Sequence, residues 1–227
     1  MRGLKYTVLY ISILVLLTSC WEIAGLFVDW SPPDIAEEPK AGFIYEYHHI
    51  NDQTQISSQV DGSTLTIKLF TTPGNRATIA ANVEDGETYD KIKGKYGDTK
   101  SDWEVVNSED IAYAESIRSI EITTQSAWDD DHPAGSSLND IFDVKYGTYR
   151  HFVDSGFTAE SRVVWEQKAL AQLTESDMWF INTEFLLICD DCPDGNLLKR
   201  LHITITLDTD MVQTYDVLIR KTADDYE

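Results

Sequence analysis

Leu201-His202-Ile203-Thr204-Ile205-Thr206-Leu207 is the stretch whose pattern decides the fold class. Its apolar residues fall at every second position, so Leu201, Ile203, Ile205 and Leu207 share one face of an extended chain while His202, Thr204 and Thr206 share the other. A helix would scatter those four residues around its circumference, whereas a strand gathers them. The β-branched Ile and Thr side chains favour the same choice. The stretch predicts a strand with one face on a core and the other in water.

Reading outward, Asp208-Thr209-Asp210 is a turn signal, and Val212 to Ile219 beyond it places Tyr215, Val217 and Ile219 on one side, so a terminal hairpin is expected. Leu65-Thr66-Ile67-Lys68-Leu69 and Ile120-Glu121-Ile122-Thr123 alternate in the same way; Phe43 to Tyr47 and Ile141 to Tyr146 do so more weakly. Phe185-Leu186-Leu187-Ile188 is a continuous apolar run, the pattern of a strand buried on both faces. Helical signals are fewer. Ser108-Glu109-Asp110 reads as the cap of a short helix through Ala112, Tyr113 and Ala114, and Glu160 to Leu173 fits either a strand ending at Trp165 or a helix over Glu166 to Leu173. Many short strands between polar turns predict a mainly β protein, an immunoglobulin-like β-sandwich with one or two short helices.

The N-terminus carries an address. Arg2 and Lys5 precede the apolar run Val8 to Leu17, which is too short to span a bilayer and reads as the core of a secretory signal. Leu17-Thr18-Ser19-Cys20 follows and resembles the lipobox of bacterial lipoproteins, which implies that Cys20 is lipidated and becomes the mature N-terminus, anchored by several acyl chains. The residue after it is Trp21 rather than the Asp that commonly retains a lipoprotein at the inner membrane, so the outer membrane is the expected destination. Trp30-Ser31-Pro32-Pro33-Asp34 and Glu37-Glu38-Pro39 suit neither a helix interior nor a central strand. The expected organisation is a signal over 1–19, a Pro-rich acidic tether over 20–40 and one sandwich domain over 41–227.

Charge excludes some partners. With 18 Lys and Arg against 39 Asp and Glu, the chain of 227 residues has a net charge of −21, which repels phosphate backbones and lacks the basic footprint of a nucleic-acid binder. Its aromatic content of 11% is too high for a disordered acidic chain.

Cys189-Asp190-Asp191-Cys192 is the first place to look for chemistry. Two carboxylates between the cysteines disfavour a thiolate, and Pro193-Asp194-Gly195-Asn196 signals a turn rather than the helix that activates a redox pair. A zinc site wants four ligands, more than this pair and a distant histidine supply. A small structural disulfide between Cys189 and Cys192 is the expectation, stabilising by about 2 kcal/mol because the loop it closes is short. The loop starting at Asp190 fails as an EF-hand, with Cys192 at its third position and Leu201 at its twelfth. Trp128-Asp129-Asp130-Asp131-His132-Pro133 reads as a solvated acidic turn, with a cation site as the sharper alternative. None of His48, His49, His132, His151 and His202 sits in a metal-ligand spacing, and His48 and His49 would point to opposite faces of a strand. No Gly-x-Ser-x-Gly elbow, phosphate loop or dinucleotide fingerprint is present.

Six tryptophans remain, and in a surface protein exposed rings beside carboxylates form platforms for sugar rings. Trp103 and Trp128 lie in polar segments and are the pair expected to be exposed. The leader with its lipobox, the Cys20-Trp21 start, and the segments Ile117 to Thr124 and His132 to Phe142 together resemble the uncharacterised lipoproteins of Bacteroidetes-type gut bacteria. That resemblance implies an envelope location and a β-rich fold and brings no activity. The expected function is therefore a lipid-anchored, non-catalytic binding or structural module at the outer membrane, with a glycan or envelope protein as partner and without metal or cofactor. An envelope hydrolase or a thiol-redox enzyme is the alternative.

Overall fold

The computed structural model describes residues 42–71, 78–80, 86–99, 110–193 and 197–221. In chain order the elements are β1 (Glu46–His48), β2 (Gln55–Asp61), β3 (Thr64–Phe70), β4 (Thr78–Ala80), helix α1 (Gly86–Tyr96), β5 (Ile111–Tyr113), β6 (Ile117–Thr124), β7 (Asp143–Thr148), helix α2 (Arg150–Asp154), β8 (Val164–Ala169), a 3-10 turn at Leu170–Gln172, β9 (Ile181–Cys189), β10 (Leu197–Leu207) and β11 (Val212–Lys221).

Among the described residues the strands form two sheets. The smaller is β6-β10-β11, antiparallel throughout, with the alternating strand β10 at its centre. Leu201, Ile203, Ile205 and Leu207 are all fully buried, and their cross-strand partners include Ile120, Ile122 and Val217. The expected terminal hairpin is there, turning through Asp210, which adopts a left-handed φ of 62°. A bulge opposite Thr206 and Leu207 lets Arg118 leave the ladder.

The larger sheet has eight strands organised on β9. Along one edge β9 pairs with β7; the other is shared by β5 at its start and β3 over its last six residues. Phe185 and Leu187 are fully buried, while Leu186 and Ile188 on the outer face are only partly so, a one-sided strand where the apolar run suggested two buried faces. The inner faces of the two sheets share one aliphatic core that includes Ile67 of β3, Val144 of β7, Leu187 of β9, Ile122 of β6 and Ile205 of β10. This is the mainly β two-sheet sandwich the alternation predicts. The immunoglobulin plan has four and three antiparallel strands; the sheets here have eight and three, and β1 and β5 run parallel.

A second core, built mostly of rings, lies where α1 and α2 pack on the β1 and β5 end of the large sheet: Phe43, Tyr47, Tyr89, Tyr96, Tyr149, Phe152 and Phe180. Phe180 stacks on Tyr96 with centroids 4.3 Å apart and planes 3° from parallel. The buried hydroxyls are satisfied: Tyr47 donates to Asp98, Tyr89 to the carbonyl of Ile44, Tyr96 to that of Ala114 and Tyr149 to that of Ile111. Asp98 is wholly buried and also accepts the backbone N–H groups of Phe43 and Ile44, which ties the start of the domain to the end of α1. Residues 111–113, expected in a short helix, are strand β5 instead, because Tyr113 and Ala112 are buried against β1 and β9 and tertiary pairing outweighs the cap signal. Glu160 to Leu173 resolves into a strand that runs through Trp165 to Ala169 and then the 3-10 turn.

Candidate functional site

Met178-Trp179-Phe180 joins the two cores. Met178 inserts into the aliphatic core and Phe180 into the aromatic one, both with no exposure, so Trp179 between them is left facing outward and partly exposed. Its indole is held by its neighbours, meeting Tyr96 edge-on at 5.4 Å and Phe180 at 5.8 Å between centroids. Its backbone carbonyl accepts a hydrogen bond from the Ser116 hydroxyl at 2.7 Å.

Helix α2 supplies the opposite wall. The end of β7 is bound to Phe180 twice, by the Tyr149 N–H at 2.9 Å and the Thr148 hydroxyl at 3.0 Å, both donating to the Phe180 carbonyl. With Phe152 turned into the aromatic core, Arg150 and Asp154 lie one turn apart on the outer side. The Arg150 guanidinium donates from Nε to Asp154 Oδ2 at 3.4 Å and from Nη1 to the Ser176 carbonyl at 3.0 Å. Glu175 and Ser176 are carried on a turn closed by Asp177, whose carboxylate accepts the Thr174 N–H and hydroxyl at 2.6 Å each and Lys168 Nζ at 2.7 Å.

Arg150, Asp154, Glu175, Ser176 and Trp179 line a cleft of about 430 Å³ that is open to solvent. Arg118, released by the bulge in β6, pairs with Asp210 and lies 3.7 Å from Glu175. Each rim carboxylate is thus opposed by a guanidinium. The cleft offers an aromatic side chain flanked by hydrogen-bond donors and acceptors, with both guanidiniums engaged by carboxylates.

The residues singled out in the sequence have other positions. Trp128 is a core residue, 2% exposed and packed near Phe142, which corrects the expectation that it is exposed. Cys20 and Trp103 lie outside the described residues. Cys189 and Cys192 are both buried in the aliphatic core and held as thiols, so the expected disulfide is not formed in this structure. Cys189 ends a central strand with its side chain turned inward, and burial, reinforced by Cys192 and the charges of Asp191 and Asp190, pushes its thiol up to about 12. That environment stores a thiol and does not activate one.

In the 128–133 loop, Asp129 Oδ1 accepts the backbone N–H groups of Asp131 and His132 and contacts His132 Nδ1 at 2.7 Å, while His132 Nε2 lies 3.2 Å from Asp140. The bond to Asp129 raises the imidazole pKa. This is a self-contained turn, and among the described residues no group of three His, Cys, Asp or Glu is placed to hold a metal ion. His48 and His49 diverge as expected, the first to Thr71 at 2.8 Å and Glu46 at 3.2 Å, the second to Glu115. The order Glu46, His48, Thr71 has the acid, imidazole and hydroxyl sequence of a hydrolytic triad. His48 is however 1% exposed and Thr71 7%, and burial lowers the imidazole pKa, so the array pins β1 inside the protein.

Trp179 carried no motif. The available signal was local: Met178 and Phe180 are two apolar residues flanking a third just before a strand, which on a period of two turns the middle one outward. Comparison with protein-family models, with curated proteins and with solved structures gives no match for this chain. No helix among the described residues is long and apolar enough to cross a membrane.

Proposed function

We propose that this chain is a cell-envelope lipoprotein, anchored to the outer membrane through Cys20, whose sandwich domain binds a ligand without catalysis in the Trp179 cleft. The address rests on the lipobox Leu17-Thr18-Ser19-Cys20 and the acidic, Pro-rich segment after it. The binding reading rests on one observation: a tryptophan held by both cores faces an open cleft whose walls carry Arg150, Asp154 and Glu175. A partly exposed ring with convergent polar groups around it is the general form of a ligand site.

Two measurements test this. Intact mass of the membrane-extracted protein gives a chain from Cys20 plus acyl groups, and Cys20→Ala releases the protein from the membrane fraction; an unlipidated Cys20 removes the address. Oxidative footprinting of the detergent-extracted full chain then reports Trp179 against Trp165, which is 45% exposed on β8 and serves as the internal control. An extract of envelope and extracellular material protects Trp179 and leaves Trp165 reactive. Equal oxidation of Trp179 with and without extract refutes the cleft as a binding site.

A further inference from the structure

We infer that the ligand of the cleft is a neutral glycan, a chain of pyranose rings without ionised groups; this rests on the binding reading above and narrows it to a chemical class. Four observations converge. The aromatic member of the lining is Trp179, partly exposed and oriented by its edge contacts with Tyr96 and Phe180, and an indole is the kind of flat apolar surface on which the C–H face of a sugar ring stacks. The walls present both hydrogen-bonding types: guanidinium donors from Arg150, carboxylate acceptors from Asp154 and Glu175, and the Ser176 hydroxyl. A sugar hydroxyl is donor and acceptor at once and uses both.

Charge gives the third. Arg150 is engaged by Asp154, and Arg118 is shared between Asp210 and Glu175, so every guanidinium at the cleft is already opposed and an anion finds no unopposed cation. The net charge of −21 further repels polyanionic chains. Shape is the fourth. At about 430 Å³ the cleft is within the range of ligand sites, about 300 to 1,000 Å³, but it is open to solvent rather than enclosed. Small cofactors are held by enclosure; a glycan chain seats one or two rings in an open cleft and leaves its remaining rings in water.

The test is calorimetric titration of the detergent-extracted full chain with neutral hexasaccharides built from glucose, mannose, galactose and xylose. At least one binds, and raising the ionic strength from about 0.05 to about 0.5 M changes its affinity by less than about twofold, because no net charge is matched. Trp179→Ala weakens it by about tenfold or more, and Trp179→Phe, which keeps a plate, by a few-fold only. Ser176→Trp, at an exposed position, fills the cleft without touching either core and removes binding at an unchanged melting temperature, so a folding defect in Trp179→Ala does not decide the result.

If no neutral hexasaccharide binds while the extract still protects Trp179, the ligand class is wrong and the site stands. Salt-sensitive binding of an anionic oligosaccharide or of an oligoamine, in place of a neutral one, overturns the class in the same way. Saccharide binding that survives both Trp179→Ala and Ser176→Trp places the ligand elsewhere and overturns the inference and the cleft together.

Discussion

Replacing Asp98 with Asn should change how stability depends on pH, with a magnitude set by the burial of one carboxyl. Asp98 has no solvent exposure; burial pushes it from 3.8 up to about 6, against the N–H groups of Phe43 and Ile44, the Tyr47 hydroxyl and the ammonium of Lys93, which all favour the charged form. Desolvation wins by about two pH units, and at about 1.4 kcal/mol per unit the ionised carboxylate costs the folded state about 3 kcal/mol relative to the unfolded chain. The sign follows from a folded pKa above the unfolded one. Asp98 contributes its full stability below pH 3.8, and that contribution is lost as pH rises through about 6. Asn titrates nowhere in this window. Urea unfolding of wild type and Asp98→Asn, measured between about pH 3.5 and pH 7, isolates the term, because His49, His132 and every other titrating group is common to both proteins and cancels in the difference. Wild type should lose about 3 kcal/mol relative to the variant across that range, most of it between pH 4 and pH 6. A difference that stays flat with pH would mean that Asp98 ionises at its ordinary value and that the buried cradle stabilises its charge fully.

Three further outcomes are expected. Gly42→Ala places a methyl group on the Asp98 carboxylate, and the resulting shift of a buried, hydrogen-bonded group should cost about 1–3 kcal/mol in the same unfolding assay. Gly97→Ala meets nothing closer than Val153, at 3.5 Å, but its φ of +68° is a left-handed helix end at which the N–H of Asp98 reaches the carbonyl of Lys93; the strain alone should cost about 1 kcal/mol. With its thiols reduced, Cys189 at about 12 in place of 9.0 should carry about a thousandfold less thiolate near neutral pH. Iodoacetamide should therefore label it in the folded protein far more slowly than in urea, and comparable rates would contradict its burial.

The strands were legible wherever one face is core and the other is wet. Leu201 to Leu207, Leu65 to Leu69 and Ile120 to Thr123 all show that contrast, and all three lie on the shared core. Helix α1 was not anticipated because its inward face is carried by Tyr89, Ile92 and Tyr96 alone, and two of those three bear hydroxyls. Its frame was nonetheless written in the chain: Glu87 in the first turn, Lys93 and Lys95 in the last, and Gly97 just past the end. The second core was hidden for a related reason. Tyrosines read as ambiguous in a sequence, and whether they fill a core depends on acceptors such as the carbonyls of Ile44 and Ala114, which only the fold brings within reach. The cleft was less legible still, since Arg150 and Asp154 come from one segment and Glu175 to Trp179 from another, and the hydrogen bonds of Thr148 and Tyr149 to Phe180 join them.

Exposure alone would select Trp165 as the binding tryptophan, since it is 45% exposed. Immobilisation argues for Trp179. Among the described residues Trp165 stands on β8, which pairs there with β7 alone, and none of the ring contacts among those residues involves it, so a ligand settling on it would have to bear the cost of fixing its rotamer, about 0.5 to 1.5 kcal/mol. Trp179 has already met that cost on folding: Met178 and Phe180 anchor its backbone in two different cores, and Tyr96 and Phe180 hold the indole from the side. The same economy applies to Arg150, whose guanidinium is fixed by Asp154 and the Ser176 carbonyl before any ligand arrives. A weakly enclosed cleft gains little from buried area, so its affinity depends on how little remains to be ordered. The seam between the aliphatic and aromatic cores is where this fold holds a ring and a cation in place side by side.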